Sequence, residues 1–301
     1  MEQKTRIKGI LLTLFGGALW GFSGTCGQYL LQVKGLTSSW LVPYRLMIAG
    51  IILLAICFMK DRKQVLQVWK NKRDAMDTVV FAMFGMSMCQ YCYFTAIAYS
   101  NAGTATVLQY IGPVLIMIYI SLRKQKLPTK VEMVAVILAI GGTFLLATHG
   151  QIHSLVISKD GLIWGLLSAV SVLIYTVQPG RLLDKFGSMV ITGWGMFLAG
   201  IMLMILFRPW TIPVTLDLQV IGGMAIVIVI GTVIAFSCYM EGIRCIGPKQ
   251  GSLFSAVEPV SATILTVVFM GMSFGAMDLA GFGCIIMAVC LLAVGGETNT
   301  N

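Results

Sequence analysis

The chain has 301 residues, 57% hydrophobic and 11% charged, with 21 Lys and Arg against 12 Asp and Glu for a net charge of +9. Soluble domains carry charge at roughly 25% of positions, so this composition excludes one. At about 20 residues per crossing, the length accommodates roughly ten transmembrane helices.

A short basic tail, Met1 to Lys8, leads into the first apolar block. It has no small-residue cleavage pattern and is expected to stay with the chain. The predicted spans are then 10–31, 40–59, 78–98, 104–122 and 131–148, followed by 161–177, 189–207, 218–240, 251–270 and 274–294. Pro128, Pro213 and Pro248 fall in the connections, where a helix need not continue.

The basic residues fix an orientation. With the first residue inside, the inner segments hold seventeen of the 21 Lys and Arg, the outer loops hold Lys34, Lys159 and Arg208, and Arg45 lies within span 2. This bias puts both termini in the cytoplasm, and it makes nucleic acid an unneeded partner for the positive charge.

Residues 93–150 align on 239–296 without a gap: Tyr93 on Tyr239, Ile97 on Ile243, Pro113 on Pro259, Glu132 on Asp278. Five spans per half is an odd number, so the halves insert with opposite topology. The expected fold is therefore an all-α integral membrane protein of ten helices in two inverted five-helix repeats, 1–150 and 151–301. Such repeats carry a solute site between them near the midplane.

Polar side chains at helical spacing single out a pathway. Span 1 offers Trp20 and Ser23, span 3 Gln90 and Tyr91, span 4 Gln109 and Tyr110, and span 8 Tyr239. Span 6 offers Trp164, Ser168, Ser171 and Tyr175, and span 9 Ser255. The lining is expected to be mostly neutral and aromatic, suited to amphipathic solutes. Spans 5 and 10 carry small residues instead and are assigned to packing outside the pathway, with a homodimer through them as one partner reading.

Glu258 is followed by Pro259 inside span 9. The proline leaves the Ser255 carbonyl without its helical donor. Two roles are open to the carboxyl: coupling transport to a proton gradient, or bracing a kinked helix. Arg45 lies six residues into span 2, ~9 Å below the outer surface. It reads either as an anion contact or as a structural anchor snorkelling to head groups. His149 and His153 flank the exit of span 5 as solvated residues. The eight cysteines, the pair Cys89 and Cys92 included, read as small apolar residues.

The stretches Ala18–Ser23 and Ser255–Val260, with Arg45, resemble the EamA-type branch of the drug/metabolite transporter superfamily. The resemblance covers the whole chain. It implies a ten-helix carrier of metabolites, often amino acids or amphipathic compounds and often outward, with a central cavity lined by helices 1, 3, 4, 6, 8 and 9. Members usually carry an acidic residue after the glycine ending helices 4 and 9; here Arg123-Lys124 and Met270-Gly271-Met272 stand there.

The function read from the chain is a secondary active exporter of small organic metabolites in the cell membrane, working by alternating access. An uncoupled facilitator is the alternative. An integral membrane enzyme lacks the constellation it would need, since there is no HExxH pair or Ser-His-Asp set. No cofactor, metal ligand set or catalytic residue is assigned, and the partners are a small-molecule substrate and the lipid bilayer.

Overall fold

The computed structural model describes residues 2–125, 127–151, 156–247, 251 and 254–295. Pro248, His153 and four of the inner basic residues (Lys4 and Lys124 by their side chains, Lys126 and Lys249) lie outside what is described. Among the described residues there is no strand. Eight helices are long and apolar enough to cross a membrane, and two shorter apolar helices, Val257–Met270 and Ala276–Leu292, follow them.

In the first half, α1 (Glu2–Gln28) runs into a π-helical turn at Tyr29–Val33, and α2 (Ser38–Lys60) follows. The short α3 (Arg62–Gln67) is capped by Asp61, whose carboxyl accepts from the Lys63 and Gln64 amides. Helix α4 (Lys72–Val80), a π segment Phe81–Met86 and α5 (Ser87–Tyr99) form one continuous rod. The sequence places its start near residue 78. The Asn71 side chain accepts from Arg73 and Asp74 and starts the helix at Lys72. Helices α6 (Ala102–Gln109) and α7 (Gly112–Lys124) are one span broken before Pro113, and α8 (Lys130–Thr148) closes the half.

The second half begins with α9 (Lys159–Val177), the short α10 (Gly180–Phe186) and α11 (Ser188–Phe207). Helix α12 (Leu218–Ala225), a nine-residue π segment Ile226–Ile234 and α13 (Ala235–Ile246) make the next rod. The chain then reaches α14 (Val257–Met270) and α15 (Ala276–Gly295).

The two most closely packed helix pairs between the halves are α2 against α11 and α8 against α15. In the second pair a Cβ on Gly142 would stand 2.8 Å from the Gly281 carbonyl oxygen, so the two backbones meet through their small residues. Offset by 146 residues, the caps of α8 and α15 also correspond. Glu132 accepts from the Thr129 amide at 2.6 Å, and Asp278 accepts from the Gly275 amide at 2.8 Å. Asp278 takes a second bond, to His149 Nε2 at 2.8 Å, so His149 is partnered and not merely solvated.

The end of the bundle carrying α3 and α10 is rich in basic residues. There the buried Asp74 binds Arg181 at 2.7 Å and Lys185 at 2.6 Å, while Arg181 also reaches Asp77. Hydrogen bonds donated to the carboxylates hold the Arg181 guanidinium above its ordinary pKa, the Asp77 bond contributing most. The opposite end is closed by polar contacts. Gln28 accepts from the Ala102 amide at 2.9 Å, Gln32 donates to the Ile97 and Ser100 carbonyls, and Lys34 pairs with Asp217 at 2.6 Å.

Candidate functional site

A cavity of about 390 Å³ lies between the halves. It runs from Arg45 and Thr232 in the interior to Pro179, Leu183 and Ser188 at the basic end. Its walls come from α1, α2, the π segments of the third and eighth spans, α5, the α6–α7 break, α9, α11, α13 and the chain before α14.

Arg45 is a buried cation on this wall, the residue only 6% exposed. Its Nη1 donates to Gln90 Oε1 at 2.6 Å, its Nε donates to Thr232 Oγ1 at 3.1 Å, and its Cζ sits 4.6 Å from the centre of the Phe94 ring. Snorkelling toward head groups is therefore not what this arginine does. Three polar or aromatic partners draw it inward, offsetting the cost of a charge away from water. The Thr232 hydroxyl can accept because it spends its own proton on the Val227 carbonyl, five residues back, across the wide turn of the π segment.

Glu258 faces the same space, at the first turn of α14. Its Oε2 lies 3.2 Å from the Tyr110 hydroxyl. That hydroxyl also donates to the Ser255 carbonyl at 2.7 Å, the carbonyl that Pro259 cannot serve. The α6–α7 break at Tyr110–Ile111 and the break at Ala256 lie 146 residues apart, so both prolines interrupt their helices at matched places.

Of the expected lining residues, Trp20, Ser23, Gln90, Gln109, Tyr110, Tyr175, Tyr239 and Ser255 stand on the wall with Arg45 and Glu258. Trp20 and Tyr239 pack ring on ring with centroids 4.8 Å apart. Four others stand off it. Tyr91 stacks on Phe207 at 4.8 Å and meets Trp164 edge-on at 5.7 Å, forming an aromatic cluster beyond the cavity. Ser168 supports from behind, accepting from the Gln109 amide at 2.6 Å, and Ser171 donates to its own helix at Leu167. For Trp164 the reason is axial: the cavity touches α9 only over its last turns, through Val172, Tyr175 and Thr176. Trp164 is eleven residues, ~16 Å, further along.

Sequence reasoning passed over Phe81, Phe94 and Thr192 on the wall. The two phenylalanines carry no polar signal, and Thr192 is an isolated hydroxyl one turn past Ser188 in an otherwise apolar helix. The wall is mostly neutral and aromatic, with one cation, Arg45, and one carboxyl, Glu258, on it. The small-residue helices α8 and α15 contribute only Val289 to it.

Residues 7–148 and 159–294 each match the profile of the EamA-like transporter family. The uncharacterized inner membrane transporter YicL of Salmonella typhimurium is 34% identical over 287 residues, 95% of both chains. The uncharacterized transporter YcbK of Bacillus subtilis is 23% identical, covering 77% of this chain and 74% of its own. One solved crystal structure superposes with a TM-score of 0.63 at 18% identity, covering 97% of this chain and 98% of the other, a likeness of fold alone.

Proposed function

Because the chain belongs to the EamA-like transporter family, we propose that this multi-pass membrane protein is a secondary active exporter of small organic metabolites. It works by alternating access through the central cavity. The carrying observation is that one cavity holds an arginine and a carboxyl from different helices, in a lining rich in aromatic rings. A buried charge without a counter-charge is costly, so a bound solute that supplies both complementary charges is favoured. Amino-acid-like, amphipathic solutes fit that pattern; a polyanion finds one arginine where it would want a clamp.

The full architecture belongs to the same proposal: ten spans in two inverted five-helix halves, 1–150 and 151–301. The eight long helices, the two shorter apolar ones and the matched breaks before Pro113 and Pro259 support it. Both termini lie in the cytoplasm, on the side of the basic end, so the cavity faces inward in this conformation. The outward direction of transport follows the family resemblance. A homodimer through α8 and α15 uses their outer faces, where Ile137 and Met287 are exposed, because their small residues already meet within one chain.

Counterflow in proteoliposomes tests the reading, with a labelled panel of amino acids, amines and small carboxylates. Trans-acceleration is expected for solutes bearing both charges and an apolar tail. Flux without trans-acceleration would mark a facilitator, and counterflow for none of the panel would overturn the substrate class.

A further inference from the structure

We propose that Tyr110 is a positioning residue that couples the protonation state of Glu258 to the chain break in front of α14. The role presupposes the transport reading above and gives it a moving part.

Three oxygens meet here: the Tyr110 hydroxyl, the Ser255 carbonyl 2.7 Å away and Glu258 Oε2 3.2 Å away. A phenol has one proton to donate, a carbonyl has none, and a carboxyl has one only when protonated. With Glu258 protonated, two protons serve the three oxygens. Glu258 donates to Tyr110, Tyr110 donates to Ser255, and both links stand. With Glu258 ionised, the one proton that Tyr110 carries faces two acceptors. A hydrogen bond to a charged acceptor is roughly twice as strong as a neutral one, so the phenol turns to the carboxylate. The link from Tyr110 to the Ser255 carbonyl is then given up.

That link is a hydrogen bond from the first half to the segment before α14, beside the packing of α1 on it. Pro259 offers no N–H to the same carbonyl, so no helical bond at that position replaces it. Losing the tie loosens the joint at Ala256 while Glu258 itself is drawn toward Tyr110. The proton comes from water in the cavity and returns to it. Only the O–H bond on Glu258 forms and breaks, and its charge alternates between zero and minus one.

The other titratable and charged groups facing this carboxyl are Arg45 from α2, Cys89 and Tyr93 from α5, Tyr175 from α9 and Tyr239 from α13; α1 presents Trp20 and Ser23. An arginine keeps its charge, and thiols and phenols ordinarily titrate well above neutrality, so Glu258 is the member that changes state. The matched positions in the first half are Gln109 and Gly112, which have no carboxyl. Only the second half answers to a proton.

The test uses the full chain in lipid nanodiscs across a pH series. Amide hydrogen exchange, corrected for intrinsic rates, reports on residues 254–258. The infrared carboxyl band that disappears in Glu258→Gln reports on Glu258 itself. In the wild-type chain, exchange should quicken about tenfold on deprotonation, the loss of roughly one hydrogen bond, with the midpoint of the carboxyl band. In Tyr110→Phe the band should still titrate while exchange no longer follows it. A Tyr110→Phe chain whose exchange still follows the band overturns the proposal, as do non-coincident midpoints in the wild type. The wild-type coincidence and a flat Glu258→Gln profile decide the matter should Tyr110→Phe fail to fold. Counterflow is measured separately: its absence with an intact coupled titration sinks the transport reading and leaves the Tyr110 link standing.

Discussion

Gly21 and Glu258 meet backbone to backbone. A Cβ at Gly21 would stand 2.8 Å from the Glu258 carbonyl oxygen and 2.7 Å from the Ala262 nitrogen, closer than real Cβ atoms come to such neighbours. The glycine of the first helix is thus what lets α1 lie against the turn that carries the buried carboxyl.

Gly21→Ala should therefore push α14 away from α1. The expected cost is ~1–3 kcal/mol of stability, as for other overpacked sites. Counterflow should fall further than the lost stability explains, because Glu258 moves with its helix. Gly283→Ala, where nothing lies within 4 Å of a Cβ, is the control. Thermal midpoints and counterflow measured on both would refute this account if the two substitutions behaved alike.

Arg45→Lys keeps the charge and removes the fork that serves Gln90 and Thr232 together. Substrate affinity should drop about tenfold, ~1.4 kcal/mol. Binding isotherms check it, and unchanged affinity would mean that the guanidinium is a structural strut only.

Tyr175→Ala and Gln109→Ala alter the cavity wall, whereas Trp164→Ala alters the aromatic cluster beyond it. Affinity should weaken about tenfold or more for the first two and stay within about threefold for the third. An equal loss at Trp164 would extend the substrate path toward Tyr91 and Phe207.

The Lys34–Asp217 clasp at the end opposite α10 should have a broad pH window. The hydrogen bond from Lys34 holds Asp217 below its ordinary value of 3.8, and the same bond holds Lys34 above its ordinary 10.5. A depressed carboxyl contributes stability that is full above 3.8 and fades as pH falls through the lowered folded value. A raised amine contributes stability that is full below 10.5 and fades as pH rises through the raised one. The thermal midpoint of wild type should exceed that of Asp217→Asn throughout the range between, and the two should converge at acid pH. A gap that persists into strong acid would remove the clasp as its cause.

How much of this could be read from the chain depends on what each feature leaves in the residue pattern. The apolar blocks and the two prolines announce themselves, so the rods and the breaks before Pro113 and Pro259 were legible. The Ser255 carbonyl was legible too, since a proline four residues on always removes its donor. The partner it found, Tyr110, is 145 residues away, and no local pattern points to it. The partners of Arg45 were not legible, because length alone measures depth and says nothing of Gln90 and Thr232 lying inward. Helices α3 and α10 were missed because six or seven residues are too few to show a period. Trp164 shares a stripe with Tyr175, and the axial extent of the cavity separates them, whereas Ser171 lies level with the wall and is turned onto its own helix.

The π segment Ile226–Ile234 has a further consequence for the rod that ends at Ile246. Each wide turn holds one more residue than an α-turn, and so behaves as an insertion threaded into the helix, a dislocation in a one-dimensional lattice. Such a defect can glide by exchanging hydrogen bonds one at a time, with the rod unbroken throughout. Each residue it overtakes is left rotated by about 100° relative to the stretch behind it. Thr232, which holds Arg45, lies inside the defect, so gliding past it would swing that hydroxyl off the guanidinium. Helix rotation, not bending alone, is thereby within this rod's repertoire.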